Sequence, residues 1–198
     1  MDTTQDTIRL EQIRDCIPDY ARDLKLNLGS VLSAAGAPGL NDRQIWGVAV
    51  ASAIAARNPT FARALEAAAS PHLDAAHLHA ARAAAAVMGM NNIYYRFIHL
   101  VEDAEYQALP VRLRMNVLAN PGIDKLDFEL LSLAVSAVNG CGLCVSSHEK
   151  KLRQSGYSRE MIHSAVRIAA TVHAVAGVLE YQTQVQGAPV EAAAQAAA

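Results

Sequence analysis

Slid along itself by 85 positions, the chain aligns residues 44–93 with residues 129–178 without a gap. Ala49, Val50, Ser70, Ala80, Arg82, Ala84, Ala85 and Val87 then meet Ala134, Val135, Ser155, Ala165, Arg167, Ala169, Ala170 and Val172. Alanine richness inflates those identities. The stronger agreement is in the punctuation, because each half reads as a helix, a break, a short helix and then a capped longer helix. Such an offset limits the fold to two copies of one helical unit sharing a core. Composition points the same way. Hydrophobic residues make up 52% of the 198 positions and are rich in alanine, aromatic residues make up only 5%, and β-branched residues are scattered, so the apolar pattern reads as helix. The expectation is an all-α domain over 1–186, built from repeats at about 24–95 and 109–180, with 187–198 a disordered tail.

Helices are expected over 7–15, 18–35, 42–56, 60–69, 74–88, 90–103, 111–118, 124–138 and 141–154, with a long last one from Ser158. Asn41 or Asp42, Asp74, Asp124 and Ser158 are the candidate N-caps. Asn139-Gly140 ends the helix that Asp124 begins. Net charge is −2, with no basic face to suggest nucleic acid. The start, Met1-Asp2-Thr3-Thr4-Gln5-Asp6, is polar and unlike a signal peptide. No apolar run is expected to reach the ~20 residues of a membrane span. A cytoplasmic protein with reduced thiols is therefore expected, and three cysteines argue against a disulfide-stapled scaffold.

The chemistry gathers in the second half. Cys141-Gly142-Leu143-Cys144-Val145-Ser146-Ser147-His148 forms a C-x-x-C-x-x-x-H run, and Glu129 interrupts an apolar stretch twelve residues earlier. The first half has Gln44 in place of Glu129, Ala56 and Pro59 in place of the two cysteines, and Arg63 in place of His148. The scaffold thus does without these groups in one copy. At a helix start, free N–H groups and the dipole lower a thiol pKa. Gly142 is expected to let the backbone approach the sulfurs closely. His148, at i+4 from Cys144 and i+7 from Cys141, shares their face and can take a thiol proton. A buried Glu129 needs a partner, and burial is expected to raise its pKa towards that of a useful base. Two such thiols can run a cycle in which one thiolate is oxidised by a peroxide to a sulfenic acid, the other condenses with it, and an external dithiol restores both.

Other readings weigh against this one. The cysteines can be buried structural residues, or can bind zinc with His148 and Glu129, although structural zinc sites usually draw on two separated ligand pairs. Glu129 alone can be a solvent-facing helix residue. His163 and His173 read as core or interface side chains. His72, His77, His79 and His99 have no partner pattern. Lys150, Lys151 and Arg153 read as a solvated face, and Tyr94, Tyr95 and Phe97 as core.

The block from Glu129 through Asn139-Gly140-Cys141-x-x-Cys144-x-x-x-His148 resembles the alkyl hydroperoxidase D family, within the carboxymuconolactone decarboxylase-like superfamily, and the similarity extends over most of the chain. The resemblance implies an all-helical, commonly trimeric protein that reduces organic hydroperoxides with its cysteine pair. It implies Cys144 as the peroxidatic cysteine, Cys141 as the resolving one and the sulfur attacked by the reductant, and His148 with Glu129 as the proton relay, Glu129 being the ultimate base. It implies no bound cofactor or metal. The reductant would be an external dithiol such as a lipoyl group on a dehydrogenase-complex subunit, and a peroxiredoxin is a further possible partner. Some members have a histidine where this chain has Leu143. The rival functions are a general dithiol–disulfide oxidoreductase acting on a partner protein, a non-redox enzyme such as a decarboxylase, and a zinc-bearing or structural interaction module.

Overall fold

A computed structural model describes residues 9–186. The expected tail at 187–198 lies outside the described residues. Among those described there is no strand, and nine α-helices follow in order: α1 (Leu10–Asp15), α2 (Arg22–Val31), α3 (Asp42–Ala55), α4 (Pro59–Ala69), α5 (Ala75–Val101), α6 (Ala104–Ala108), α7 (Lys125–Val138), α8 (Gly142–Gln154) and α9 (Arg159–Gln186). The all-α expectation holds.

Local chemistry sets the helix starts. The Asn41 side chain accepts from the Gln44 backbone N–H at 3.0 Å, and the Gln44 side chain accepts from the Asn41 N–H at 3.1 Å, a reciprocal capping box on α3. Asn58 caps α4 ahead of Pro59, and Asp74 caps α5. Asp124 takes two N–H groups at the start of α7. Ser158 Oγ accepts from Met161 N–H at 3.0 Å, one turn into α9.

α3 and α7 stand at the centre of the core. α3 packs against α5, α7 and α9, and α7 against α5, α8 and α9. α3 and α7 are buried on most sides. Val48, Ala49, Val50, Ala51 and Ala53 of α3 and Leu130, Ala134 and Val135 of α7 have no exposed surface, as befits helices apolar all round. Gly47 permits their close approach, since a Cβ there would lie 3.2 Å from the Leu131 side chain. α9 is long and apolar enough to cross a membrane by length and composition, which corrects the expectation that no run reaches that length. In this fold 56% of its most apolar window is buried inside the bundle.

The sequence expectations fail at four other places. Residues 74–88 and 90–103 form one helix, α5, running through Gly89. The ~1 kcal/mol a helical glycine costs is outweighed by burial of the neighbouring Val87 and Met88. The expected helix at 111–118 is absent apart from a 3-10 turn at Asn116–Leu118, because Pro110 precedes it and Arg112 sits at φ 49°. The helix from Pro18 begins as a 3-10 turn and ends at Val31, short of Ala35. Phe97, expected in the core, is exposed.

Shifted by 85 positions, α3, α4 and α5 would span 127–140, 144–154 and 160–186. The helices observed there are Lys125–Val138, Gly142–Gln154 and Arg159–Gln186. A side-chain contact recurs at the same offset. His72 Nδ1 lies 3.4 Å from Asp42, and Tyr157 Oη donates to Asp127 at 3.1 Å. Burial, and then the Asp127 charge, push the Tyr157 pKa well up, so the phenol remains a donor.

Candidate active site

Both cysteines sit where α7 hands over to α8. Gly140, at φ 68°, supplies the left-handed residue that closes α7, with Gly140 N–H bonded to Ala137 C=O and Cys141 N–H to Ser136 C=O, both at 3.1 Å. Cys141 is the N-cap of α8. Its sulfur accepts from the Cys144 backbone N–H at 3.4 Å, so both sulfurs stand at the positive end of a helix dipole. They are joined as a disulfide, with Cα atoms 5.3 Å apart. A Cβ on Gly142 would meet nothing within 4 Å, so that glycine is not needed for close approach to the sulfurs. The glycine the site needs is Gly140.

The packing of α7 on α8 joins the other two predicted groups. His148 Nδ1 lies 2.7 Å from Glu129 Oε1, and their side chains are only 15% and 12% exposed. A third group, which the sequence reading placed in a solvated face, completes the cluster, because Lys151 Nζ donates to Glu129 Oε2 at 2.6 Å. Burial pushes the Glu129 carboxyl up, but the hydrogen bonds from His148 and Lys151 more than offset it and the net shift is downward. The expected raised pKa is thereby corrected, and Glu129 is a carboxylate. A carboxylate only accepts. His148 therefore donates from Nδ1, which leaves the neutral ring's Nε2 as the acceptor. One prediction follows for acid titration. A depressed carboxyl pKa contributes stability that is lost as pH falls through the folded-state value, below the ordinary carboxylate range. In Lys151→Met the depression lessens, so the loss of unfolding free energy between about pH 7 and pH 3 should be smaller than in the wild type, as read by urea unfolding at each pH.

Cys144 and His148 share a cavity of about 380 Å³ lined also by Met88, Asn91, Tyr95, Met115, Leu118, Leu143 and Ser147. Tyr95, expected in the core, is a wall of this cavity. Leu143 adds an apolar wall between the cysteines. Cys144 is 6% exposed and Cys141 has no exposed surface, so only Cys144 opens on the cavity.

Behind the cysteine turn lies a chain of buried amides. Asn139 donates to Asn92 Oδ1 and Asn92 to Ser136 Oγ, each at 2.9 Å, and Arg96 donates to the Asn139 carbonyl at 2.9 Å. It ties α5 to the residues that hold Cys141, across spacings that no sequence motif encodes. The third cysteine, Cys16, has its thiol pKa raised by burial and then by Asp15, the reverse of an activated thiol. His77, without an expected partner, meets Asp74 at 2.8 Å, and His72 stacks on Trp46. Arg153 donates to the Tyr157 carbonyl. Among the described residues no group of three or more His, Cys, Asp or Glu is arranged to hold a metal ion.

An all-helical bundle with a cysteine pair at a helix N-terminus, beside a carboxylate–imidazole pair, defines a class of protein. The Carboxymuconolactone decarboxylase family matches residues 104–181, the segment that carries the site. Over nearly its whole length the chain is similar to proteins named alkyl hydroperoxide reductase AhpD. It is 54% identical to the one from Rhodospirillum centenum over 90% of this chain and 94% of that protein. It is 56% identical to the one from Frankia alni (85% and 90% covered) and 53% to one from Coxiella burnetii (85% and 96%). The chain belongs to the alkyl hydroperoxide reductase AhpD family.

Proposed function

We propose that this protein is an alkyl hydroperoxide reductase that works through a Cys141–Cys144 dithiol/disulfide cycle. The observation that carries the reading is the position of Cys144, joined to Cys141 on one side and opening with His148 on an apolar cavity on the other. In the reduced state His148 Nε2 takes the Cys144 proton, and the α8 N-terminus stabilises the thiolate. The thiolate bonds to the terminal oxygen of R–O–O–H and the O–O bond breaks. The inner oxygen leaves as RO⁻ and takes the proton from His148, giving the alcohol and a Cys144 sulfenic acid. Cys141 then attacks the Cys144 sulfur, forming the disulfide as the hydroxyl leaves with the Cys141 proton as water. Glu129, ionised and held by Lys151, fixes the His148 tautomer and stabilises the imidazolium between these steps. It serves as an electrostatic partner, and His148 is the base.

An external dithiol returns two electrons and two protons to the pair, and a lipoyl group on a dehydrogenase-complex subunit suits the chemistry. Attack at the fully buried Cys141 requires the first turn of α8 to open, breaking the Cys144 N–H to Cys141 Sγ hydrogen bond. A peroxiredoxin is a further partner in this reading. The assembly is a homo-oligomer, with a trimer favoured, supported by the exposed apolar side chains Ile93, Phe97, Leu100 and Leu109 along the end of α5 and beyond. We place the protein in the cytoplasm. We further propose a single all-α domain of two repeats, supported by the matched helix bounds and by the Asp42–His72 and Asp127–Tyr157 contacts.

The test is mass spectrometry of reduced protein before and after one equivalent of cumene hydroperoxide. Two thiols should be lost and the Cys141–Cys144 peptide should become lighter by two hydrogen atoms. Cys141→Ser should stop after a single oxidation, trapped as the sulfenic acid, with the dithiol-driven steady-state rate falling at least roughly tenfold. Full multiple turnover in that variant would remove Cys141 from the cycle.

A further inference from the structure

Among the residues that line the cavity beside Cys144, one has a buried polar atom that the chain leaves without a partner. Asn91 lies on the cavity side of α5, is 4% exposed, and lines the cavity with Cys144 and His148. Its Oδ1 is buried without a hydrogen-bond partner. Its neighbour Asn92, by contrast, is held by Ser136 and Asn139. A buried amide oxygen with no partner destabilises a fold, and each one calls for an explanation. The position 85 residues further along, on α9, is Ala176, buried and apolar, so the helix packing does not require an amide there. Met88, Met115, Leu118 and Leu143 cannot hydrogen-bond to a ligand strongly, and of the neutral polar walls, Tyr95, Ser147 and Asn91, Asn91 is the one with a buried polar atom that lacks a partner.

We propose that Asn91 holds the hydroperoxide group itself, as a substrate-contacting residue of the reaction described above. The inference rests on that reading of the site. R–O–O–H carries an acceptor oxygen next to a hydroxyl donor, and a primary amide carries a donor next to an acceptor. Oδ1 accepts from the terminal O–H, and Nδ2 donates to the inner oxygen. When Cys144 Sγ bonds to the terminal oxygen and the O–O bond breaks, the electron pair collects on the inner oxygen. The Nδ2–H···O bond strengthens there until His148 delivers the proton. A donor aimed at the atom where charge develops lowers the barrier more than it aids binding.

The experiment compares wild type with Asn91→Leu, a near-isosteric apolar replacement, and with Asn91→Ala as a second variant should leucine not be accommodated. Three quantities are read on reduced protein: the rate of Cys144 oxidation by cumene hydroperoxide, the rate of its alkylation by iodoacetamide, and the melting temperature. Oxidation should slow on the order of 100-fold, with alkylation unchanged and the Asn91→Leu melting temperature equal or higher, since an unsatisfied polar atom has been removed. Unchanged oxidation in either folded variant overturns the proposal. So does equal slowing of oxidation and alkylation, which would place Asn91 in the ionisation of Cys144 and not in substrate contact. If wild-type Cys144 is alkylated but not oxidised by the hydroperoxide, the peroxidase reading falls first and this inference with it.

Discussion

Cys144→Ser is expected to reduce hydroperoxide turnover by at least roughly 10⁴-fold, as loss of a nucleophile does elsewhere, while leaving the helical fold and its melting temperature nearly unchanged. A serine hydroxyl at that position has no accessible anion near neutral pH, and a neutral hydroxyl does not displace the inner oxygen of a peroxide. The site is otherwise preserved in the variant. The sulfur of Cys141 would still cap α8, because its partner there is the backbone N–H of residue 144 and not that residue's side chain. Steady-state peroxide consumption with a small dithiol as reductant measures the effect. Retained turnover would mean that Cys141 does the attack from its fully buried position, and would reverse the assignment of the pair.

The second large effect is expected at Glu129. Glu129→Gln copies the residue that the first half carries at Gln44, and it keeps the shape while removing the charge. Three interactions change together. His148 loses a charge-assisted hydrogen bond at 2.7 Å, Lys151 loses its ion pair at 2.6 Å, and the imidazolium formed during the reaction loses its counter-charge. Charge-assisted hydrogen bonds are worth about 1.5–3 kcal/mol, and positioned proton transfer contributes about 10²–10⁴-fold. Oxidation of Cys144 should therefore slow by about 10²-fold, with the helical circular dichroism unchanged. Pre-steady-state oxidation by an organic hydroperoxide checks it, and unaltered kinetics would detach Glu129 from the reaction.

Much of this architecture is legible from local chemistry. Asn41, Asp74, Asp124 and Ser158 mark helix starts because a short polar side chain and the orphan N–H groups two or three residues on are a local pair. Residues 111–118 misled because their composition is helical while Pro110 and the left-handed backbone at Arg112 are not. The C-x-x-C-x-x-x-H run placed Cys144 and His148 on one helix by periodicity alone, and Glu129 stood out as a carboxylate in an apolar run. Lys151 reads as part of a solvated face. Its spacing of three from His148 was visible, but its carboxylate partner lies on another helix. Asn91 gave no signal, since an amide among alanines and methionines means nothing until a cavity forms around it. The sign of the Glu129 shift was hidden for the same reason, because two partners from α8 decide it against burial.

The order of helices along the chain also bears on how this protein comes to be folded at all. α9 is the last described helix to be synthesised, yet it packs against α2 and α3, among the first, as well as against α7. A nascent chain paused after α5 would have made α3 without the partners that cover two of its faces, α7 and α9. Those apolar alanine and valine faces stay open until the final turns leave the ribosome. Closure is therefore a late, long-range event that no early segment can complete alone. The reactive turn at Cys141 leaves the ribosome before the helix bundle that buries it is finished, and in that interval its thiols are without the protection of their own packing.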